Sequence, residues 1–245
     1  INKGKPVFLD HHLDRVLNNA KSMNMVVKQS RQEIEQLVQD TLHQNSFDAM
    51  ECNIMILLAG TIPIDSSALI TDMPIDLFVI ITPIKVYSSE SYQKGISLGL
   101  FEYERPYAEL KTPFTYFGGL KAQHAVVRNT HYDEALYTNN NMILEGTTFS
   151  FFGIMDDGTV ITSPADGKIL KSVTRLVVLD ILKEEELKVI ESSLSIEKAL
   201  ACKEAFIASS TRDIIPVTSI EGHSIGDGLA GEHTKSIMSL YQDRI

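Results

Sequence analysis

No apolar run in this chain is long enough to cross a bilayer. The candidates, residues 54–59 and 77–81, fall far short of the about 20 residues that a spanning helix needs. The first residues, Ile1-Asn2-Lys3-Gly4-Lys5, carry no apolar core of a signal peptide. Cysteine is scarce: Cys52 and Cys202 are the only two, and no metal-ligand spacing accompanies them, so they read as free thiols in a reducing compartment. Positive charge is short as well, with 22 Lys and Arg against 32 Asp and Glu and a net charge of −10. That balance disfavours nucleic acid and anionic membrane surfaces as partners. It leaves room for a small anionic substrate in a locally basic pocket. The seven histidines form no ligand set. His11 and His12 are neighbours that point to different faces of a helix, and His124 and His131 lack a third ligand, so no metal is expected. Internal repeats and low-complexity tracts are missing too. What remains is a cytoplasmic globular protein, since 245 residues at 44% apolar suffice for one large domain or two modest ones.

The periodicity predicts a helix over 10–25, with Leu13, Val16, Leu17 and Ala20 on one face. Ser30 and Glu33 stand at capping-box spacing ahead of a second helix, whose apolar face is Ile34, Leu37, Val38 and Leu42. Residues 52–59 and 76–84 read as buried strands, with a loop or ragged hairpin over 60–74 between them. Residues 1–84 therefore form a small α/β domain, 85–94 is the linker, and 95–245 is a larger domain. In that larger domain strands are expected at 95–102, 134–138, 148–155, 187–192, 205–209 and 214–220. Helices are expected at 116–128, 173–183, 195–202 and 232–243. Leu176, Val177, Leu179, Asp180 and Leu182 are read as the mostly buried face of the 173–183 helix, and Asp156-Asp157-Gly158 marks a turn between strands.

Several short segments carry chemistry. Leu110-Lys111-Thr112 is followed by Tyr116 and then by Leu120-Lys121-Ala122-Gln123. Further on come Glu145-Gly146-Thr147-Thr148-Phe149-Ser150-Phe151-Phe152-Gly153, Ser172-Val173-Thr174-Arg175 and Ala208-Ser209-Ser210-Thr211-Arg212. Upstream stands His12-Leu13-Asp14-Arg15. Each is weak alone. In this order, and over nearly the whole chain, they resemble the class IV aminotransferases. That family uses pyridoxal 5'-phosphate and includes branched-chain and D-amino-acid aminotransferases and 4-amino-4-deoxychorismate lyase.

The resemblance implies an α/β (α+β) two-domain fold type IV enzyme, a small α/β domain and a larger one around a β-barrel-like sheet, commonly a homodimer. It also assigns roles. Such an enzyme needs a lysine that binds the cofactor covalently and moves a proton, an acid at the ring nitrogen, phosphate donors and a substrate clamp. Lys111 matches the lysine, and Tyr116, five residues on, matches the tyrosine that bonds the cofactor's phenolate oxygen. Lys121 is a rival by its Gly-Leu-Lys context. The 34 residues from Lys111 to Glu145 suit the family, whereas the interval from Lys121 is ten shorter. Burial near a ring and a phosphate would lower the lysine's pKa toward the working pH. Glu145 matches the ring-nitrogen partner. Arg15, the backbone of Val173 and Thr174, the Thr174 hydroxyl and Ser210 match the phosphate contacts, where a helix N-terminus favours a dianion. Thr211 and Arg212 are the substrate-carboxylate candidates.

The departures bear on the reaction. Ser150 stands where the family has asparagine, and Ser172 where it has glycine. Met55 stands where branched-chain aminotransferases carry a strand arginine, and the loop at Ile64-Asp65-Ser66 lacks the Arg-x-His trap of the D-amino-acid enzymes. The lyases' own strand arginine, near Ala59-Gly60, is missing as well. A further β-rich stretch normally precedes the Arg15 helix and supplies aromatic pocket residues, so strands are expected to be missing from the small domain. The missing traps lead to 4-amino-4-deoxychorismate lyase as the expected reaction, an elimination giving 4-aminobenzoate and pyruvate for folate synthesis. Amino-acid aminotransfer is the alternative, favoured by Tyr116. A degenerate member without turnover is opposed by the intact Lys111 and Glu145.

Overall fold

The computed structural model describes residues 1–2, 4–45, 51–60, 75–84 and 87–245. The predicted loop beyond Gly60, with Ile64-Asp65-Ser66, and residues 85 and 86 of the predicted linker lie outside the described residues. The chain divides into two compact units, Ile1–Lys85 with Ile245, and Val86–Arg244.

The first unit holds helices α1 (Leu9–Ser22) and α2 (Arg31–Gln44) and the antiparallel pair β1 (Cys52–Gly60) and β2 (Ile75–Pro83). The capping box at Ser30 is formed: its hydroxyl accepts the Glu33 N–H, and the Glu33 carboxylate accepts the Ser30 N–H at 2.7 Å. Two of the four donors that a helix start leaves unpaired are thereby satisfied. Ser30→Ala is expected to cost about 1 kcal/mol, read as a lower denaturation midpoint at unchanged slope. Val38 and Leu42 bury against Cys52 and the inner residues of the strands. Leu37, expected on this face, is instead exposed, because α2 buries only the i, i+4, i+8 stripe of Ile34, Val38 and Leu42.

The second unit runs α3 (Ser89–Lys94), β3 (Ile96–Glu102), a 3-10 turn (Pro113–Tyr116), α4 (Phe117–Ala122), a π-helical turn (Gln123–Arg128), β4 (Glu134–Asn139), β5 (Met142–Gly146), β6 (Ser150–Ile154) and β7 (Val160–Thr162). It continues with α5 (Val173–Glu184), β8 (Val189–Glu191), β9 (Leu194–Ser195), α6 (Ile196–Leu200), β10 (Glu204–Ser209), β11 (Asp213–Ile220), β12 (His223–Ser224) and α7 (Glu232–Gln242). One mixed sheet follows the order β8-β7-β6-β10-β11-β3-β4-β5-β9, with β12 paired to β11. Its first and last strands, β8 and β9, are separated in sequence by Ser192 and Ser193 alone. Glu191 and Leu194 are three positions apart and so at most about 11 Å from each other; the sheet's opposite edges must meet and the sheet curls into a barrel-like shape, as expected. Leu98, Leu136, Phe151, Ile207 and Ile215 fill one apolar core of this unit.

Several elements differ from the sequence expectation. The helix read over 116–128 is three segments, 3-10, α and π. Strand β5 was not expected. It is reached through Asn140 and Asn141, both at positive φ (50° and 61°), the paired left-handed geometry of a tight hairpin that asparagine tolerates. On α5 the buried residues are Val173, Thr174, Arg175, Val177, Val178, Ile181 and Leu182, while Leu176 and Asp180, expected on the buried face, are exposed. Among the described residues no helix is long and apolar enough to cross a membrane.

Candidate active site

The segment from the end of β3 to α4 is built around a residue that the sequence reading missed, Arg105. Its guanidinium is buried and uses every edge. Nε and Nη2 reach Glu145 Oε1 at 2.9 and 2.8 Å, Nη2 donates to the Ala108 carbonyl at 2.6 Å, and Nη1 donates to the Leu110 carbonyl and the Thr115 hydroxyl, each at 3.1 Å. One side chain thus holds Glu145 and also the peptide just before Lys111. No local pattern announces it, because Arg105 and Glu145 are 40 residues apart. Its charge also lies 4.5 Å from the centre of the Tyr116 ring, a cation–π contact.

Lys111 Nζ lies 3.3 Å from the Tyr116 hydroxyl and 5.0 Å from the ring centre. Its charge is felt at Glu145. Lys111, Tyr116 and Glu145 are therefore brought together with Arg105. The burial that would lower the lysine's pKa is not found: Lys111 is exposed. Lys121, the rival, is exposed on α4.

Glu145 is 5% exposed on β5. Burial pushes its carboxyl above the usual range, and the Arg105 charge and the Leu170 N–H, which donates to Oε2 at 2.9 Å, pull it back only in part. A carboxylate offers about four lone-pair sites, so room for a further donor remains. Gly146 and Phe149 close the next turn, Gly146 N–H to Phe149 carbonyl at 2.8 Å. A Cβ on Gly146 would sit 2.0 Å from the Phe149 ring. Gly146→Ala is expected to cost about 1–3 kcal/mol by overpacking and to loosen cofactor binding. A thermal melt lower by about 2–4 °C per kcal/mol and a cofactor titration check it. Ser150, at the asparagine position, is buried at the start of β6.

The second cluster lies at the start of α5. Ser172 is its N-cap and accepts the Arg175 N–H at 3.3 Å. The Val173 and Thr174 N–H groups are among the four that an α-helix leaves without an internal partner. The Thr174 hydroxyl is 3.1 Å from that of Ser210, which joins the β10–β11 turn to the helix start. Leu170, which donates to Glu145, is three residues before Val173, so at most about 11 Å of chain separates the two clusters' anchors. Paired hydroxyls and free N–H groups beside a helix start make a donor set suited to a phosphate dianion. A neighbouring carboxylate suits a protonated ring nitrogen, and a lysine suits covalent attachment. The residues present fit pyridoxal phosphate.

Arg212, expected as a substrate ligand, is ion-paired with Glu134 at 2.9 Å and lies over the rings of Tyr87 and Phe149. One of its nitrogens, Nη1, is buried and has no hydrogen-bond partner. Thr211 is half-buried in the same turn, closed by the Arg212 N–H to the Ser209 carbonyl at 3.3 Å. Arg15 belongs to the first unit, half-buried on α1 with a guanidinium nitrogen 3.2 Å from His12 Nδ1. Met55 is exposed on β1 of that unit. Among the described residues no group of three or more His, Cys, Asp or Glu could hold a metal ion.

The family model for amino-transferase class IV matches residues 1–220. A Methanocaldococcus jannaschii protein, provisionally named a branched-chain-amino-acid aminotransferase, is 27% identical over 244 residues, covering 98% of this chain and 83% of its own length. The Escherichia coli branched-chain amino acid aminotransferase superposes with a TM-score of 0.85 at 24% identity, over 95% of this chain and 78% of that one. A Legionella pneumophila structure, provisionally named a 4-amino-4-deoxychorismate lyase, superposes at 0.89 with 18% identity, over 100% of this chain and 88% of that one.

Proposed function

We infer the reaction from one premise: this chain belongs to the class IV amino-transferase family and is an enzyme that uses pyridoxal phosphate. The reaction we propose is amino transfer from an aliphatic amino acid to a 2-oxo acid. The observation that carries it is the Tyr116 hydroxyl 3.3 Å from Lys111 Nζ, the tyrosine of the branched-chain aminotransferase pattern. A relative named for that activity, aligned along 98% of the chain, supports it.

Bound pyridoxal phosphate supplies an electron sink that makes a proton on the amine-bearing carbon labile. The protein does the rest. Lys111 Nζ would hold the cofactor covalently, and its free amine is the group placed to take up that proton and give it back as a positioned acid–base. The Tyr116 hydroxyl, 3.3 Å from Nζ, keeps the amine close and would donate to the cofactor's phenolate oxygen. Glu145 would pair with the ring nitrogen, and the Arg105 charge favours its ionised form. The N–H groups of Val173 and Thr174 and the hydroxyls of Thr174 and Ser210 would hold the phosphate. Thr211, through its backbone, and Arg212, through Nη1, hold the substrate carboxylate. The working form is a homodimer in the cytoplasm, without nucleic acid or membrane partners.

A second reading, 4-amino-4-deoxychorismate lyase, is kept by Met55, which stands on β1 where the branched-chain pattern has an arginine. The test presents the cofactor-loaded protein with leucine, isoleucine and valine plus 2-oxoglutarate, and separately with 4-amino-4-deoxychorismate. The proposal expects 2-oxo acid in the first assay. 4-Aminobenzoate in the second, with nothing in the first, would replace it by the lyase.

A further inference from the structure

Glu134 begins β4 at a position where every residue through Thr138 is buried. An apolar side chain would suit it, since a buried carboxylate costs several kcal/mol of desolvation unless it is fully paired. Glu134 is fully paired. Oε1 accepts from the Tyr87 hydroxyl and from Arg212 Nη2 at 2.9 Å. Oε2 accepts from Gln123 Nε2 at 2.8 Å and from the Thr147 hydroxyl at 3.3 Å. Gln123 also donates to the Thr147 hydroxyl at 3.2 Å, so these three groups close a ring.

The partners come from separate segments that carry the assigned site. Thr147 is two residues after Glu145. Arg212 is two residues after Ser210. Gln123 follows directly on α4, behind Lys111 and Tyr116, and opens the π-helical turn, a local insertion found often at functional sites. Tyr87 precedes α3, and burial, with the bond to Glu134 next, pushes its hydroxyl's pKa up, so it stays a donor.

We propose that Glu134 is a positioning residue for cofactor binding, a buried carboxylate that fixes the spacing between the Glu145 segment, the Lys111–Tyr116 segment and the Ser210 turn. It touches neither cofactor nor substrate and acts through Thr147, Gln123 and Arg212. The proposal rests on the cofactor roles given to Lys111, Glu145 and Ser210. A carboxylate serves where an apolar residue cannot, because it alone takes four donors at defined directions.

The test compares the parent with Glu134→Gln and with the double variant Glu134→Gln/Arg212→Gln. The amide replaces one acceptor oxygen by an NH2 group, which cannot accept from the nitrogen donor it faces, Arg212 Nη2 on one side or Gln123 Nε2 on the other. The double variant leaves no unpaired buried charge, which separates stability from geometry. Pyridoxal phosphate is titrated into each protein, and the visible absorbance of the lysine-bound cofactor is followed against pH. The expected result is a Kd at least tenfold weaker in both variants and a displaced pH midpoint, with unchanged far-ultraviolet circular dichroism and thermal stability recovered in the double variant. If Glu134→Gln does not fold, the double variant decides. A double variant that binds the cofactor within twofold of the parent, at the parent's pH midpoint, would reduce Glu134 to a structural charge and overturn the proposal alone. A parent whose absorbance persists in Lys111→Ala would overturn the cofactor assignment and this proposal with it.

Discussion

Lys111→Ala is expected to abolish covalent cofactor attachment and its visible absorbance while leaving the fold intact. Lys111 is exposed and its hydrogen bond to Tyr116 is 3.3 Å long, so the truncation should change stability by no more than about 0.5 kcal/mol, as for other surface sites. Turnover should fall by about 10²–10⁴-fold from the lost proton transfer alone, and further from the lost anchor. Absorbance, circular dichroism and a rate assay on one preparation check it. Full activity in Lys111→Ala would remove the mechanism altogether, and retained absorbance would direct attention to Lys121.

The second large effect belongs to Arg105→Met. The arginine and Glu145 are both almost wholly buried, with side chains 2% and 7% exposed. Taking away one partner of a buried pair leaves an uncompensated charge, at a cost of about 3–5 kcal/mol. Glu145 can escape part of that cost by taking up a proton, and this sets the pH dependence. Its folded pKa is already raised by burial above the ordinary glutamate value of 4.5, and Arg105 is the strongest influence pulling it down. Without Arg105 it rises further. Between 4.5 and the folded pKa the native state then binds more protons than the unfolded state, so stability falls as pH rises through that window. The variant should be nearest the parent in stability on the acid side and lose ground toward neutral pH, measured by denaturation at several pH values. A constant gap across pH would mean that Glu145 does not carry the charge. Cofactor affinity should fall as well, because Arg105 also holds the Leu110 carbonyl before Lys111.

What the sequence revealed and what it hid divide along sequence distance. The Ser30 cap was legible because its partners are three residues apart. Strand β1 was legible because an apolar run bounded by polar residues has one simple reading. Lys111 and Tyr116, and Thr174 with its helix start, could be found because each motif is contiguous. Arg105 with Glu145, and Arg212 with Glu134, were invisible because pairs 40 and 78 residues apart leave no local trace. Strand β5 was missed because its last two residues, Glu145 and Gly146, are poor strand formers that tertiary packing buries. The three windings of 113–128 were hidden because i, i+3 and i, i+4 patterns differ by one residue. The exposure of Lys111 is what its residue type alone predicts.

The most direct measurement is the 2-oxo acid released when the cofactor-loaded protein meets leucine with no acceptor present. Amino transfer to the cofactor predicts about one equivalent per chain, released once, and none from Lys111→Ala. No 2-oxo acid from any branched-chain donor, with 4-aminobenzoate formed from 4-amino-4-deoxychorismate by the same preparation, would contradict it.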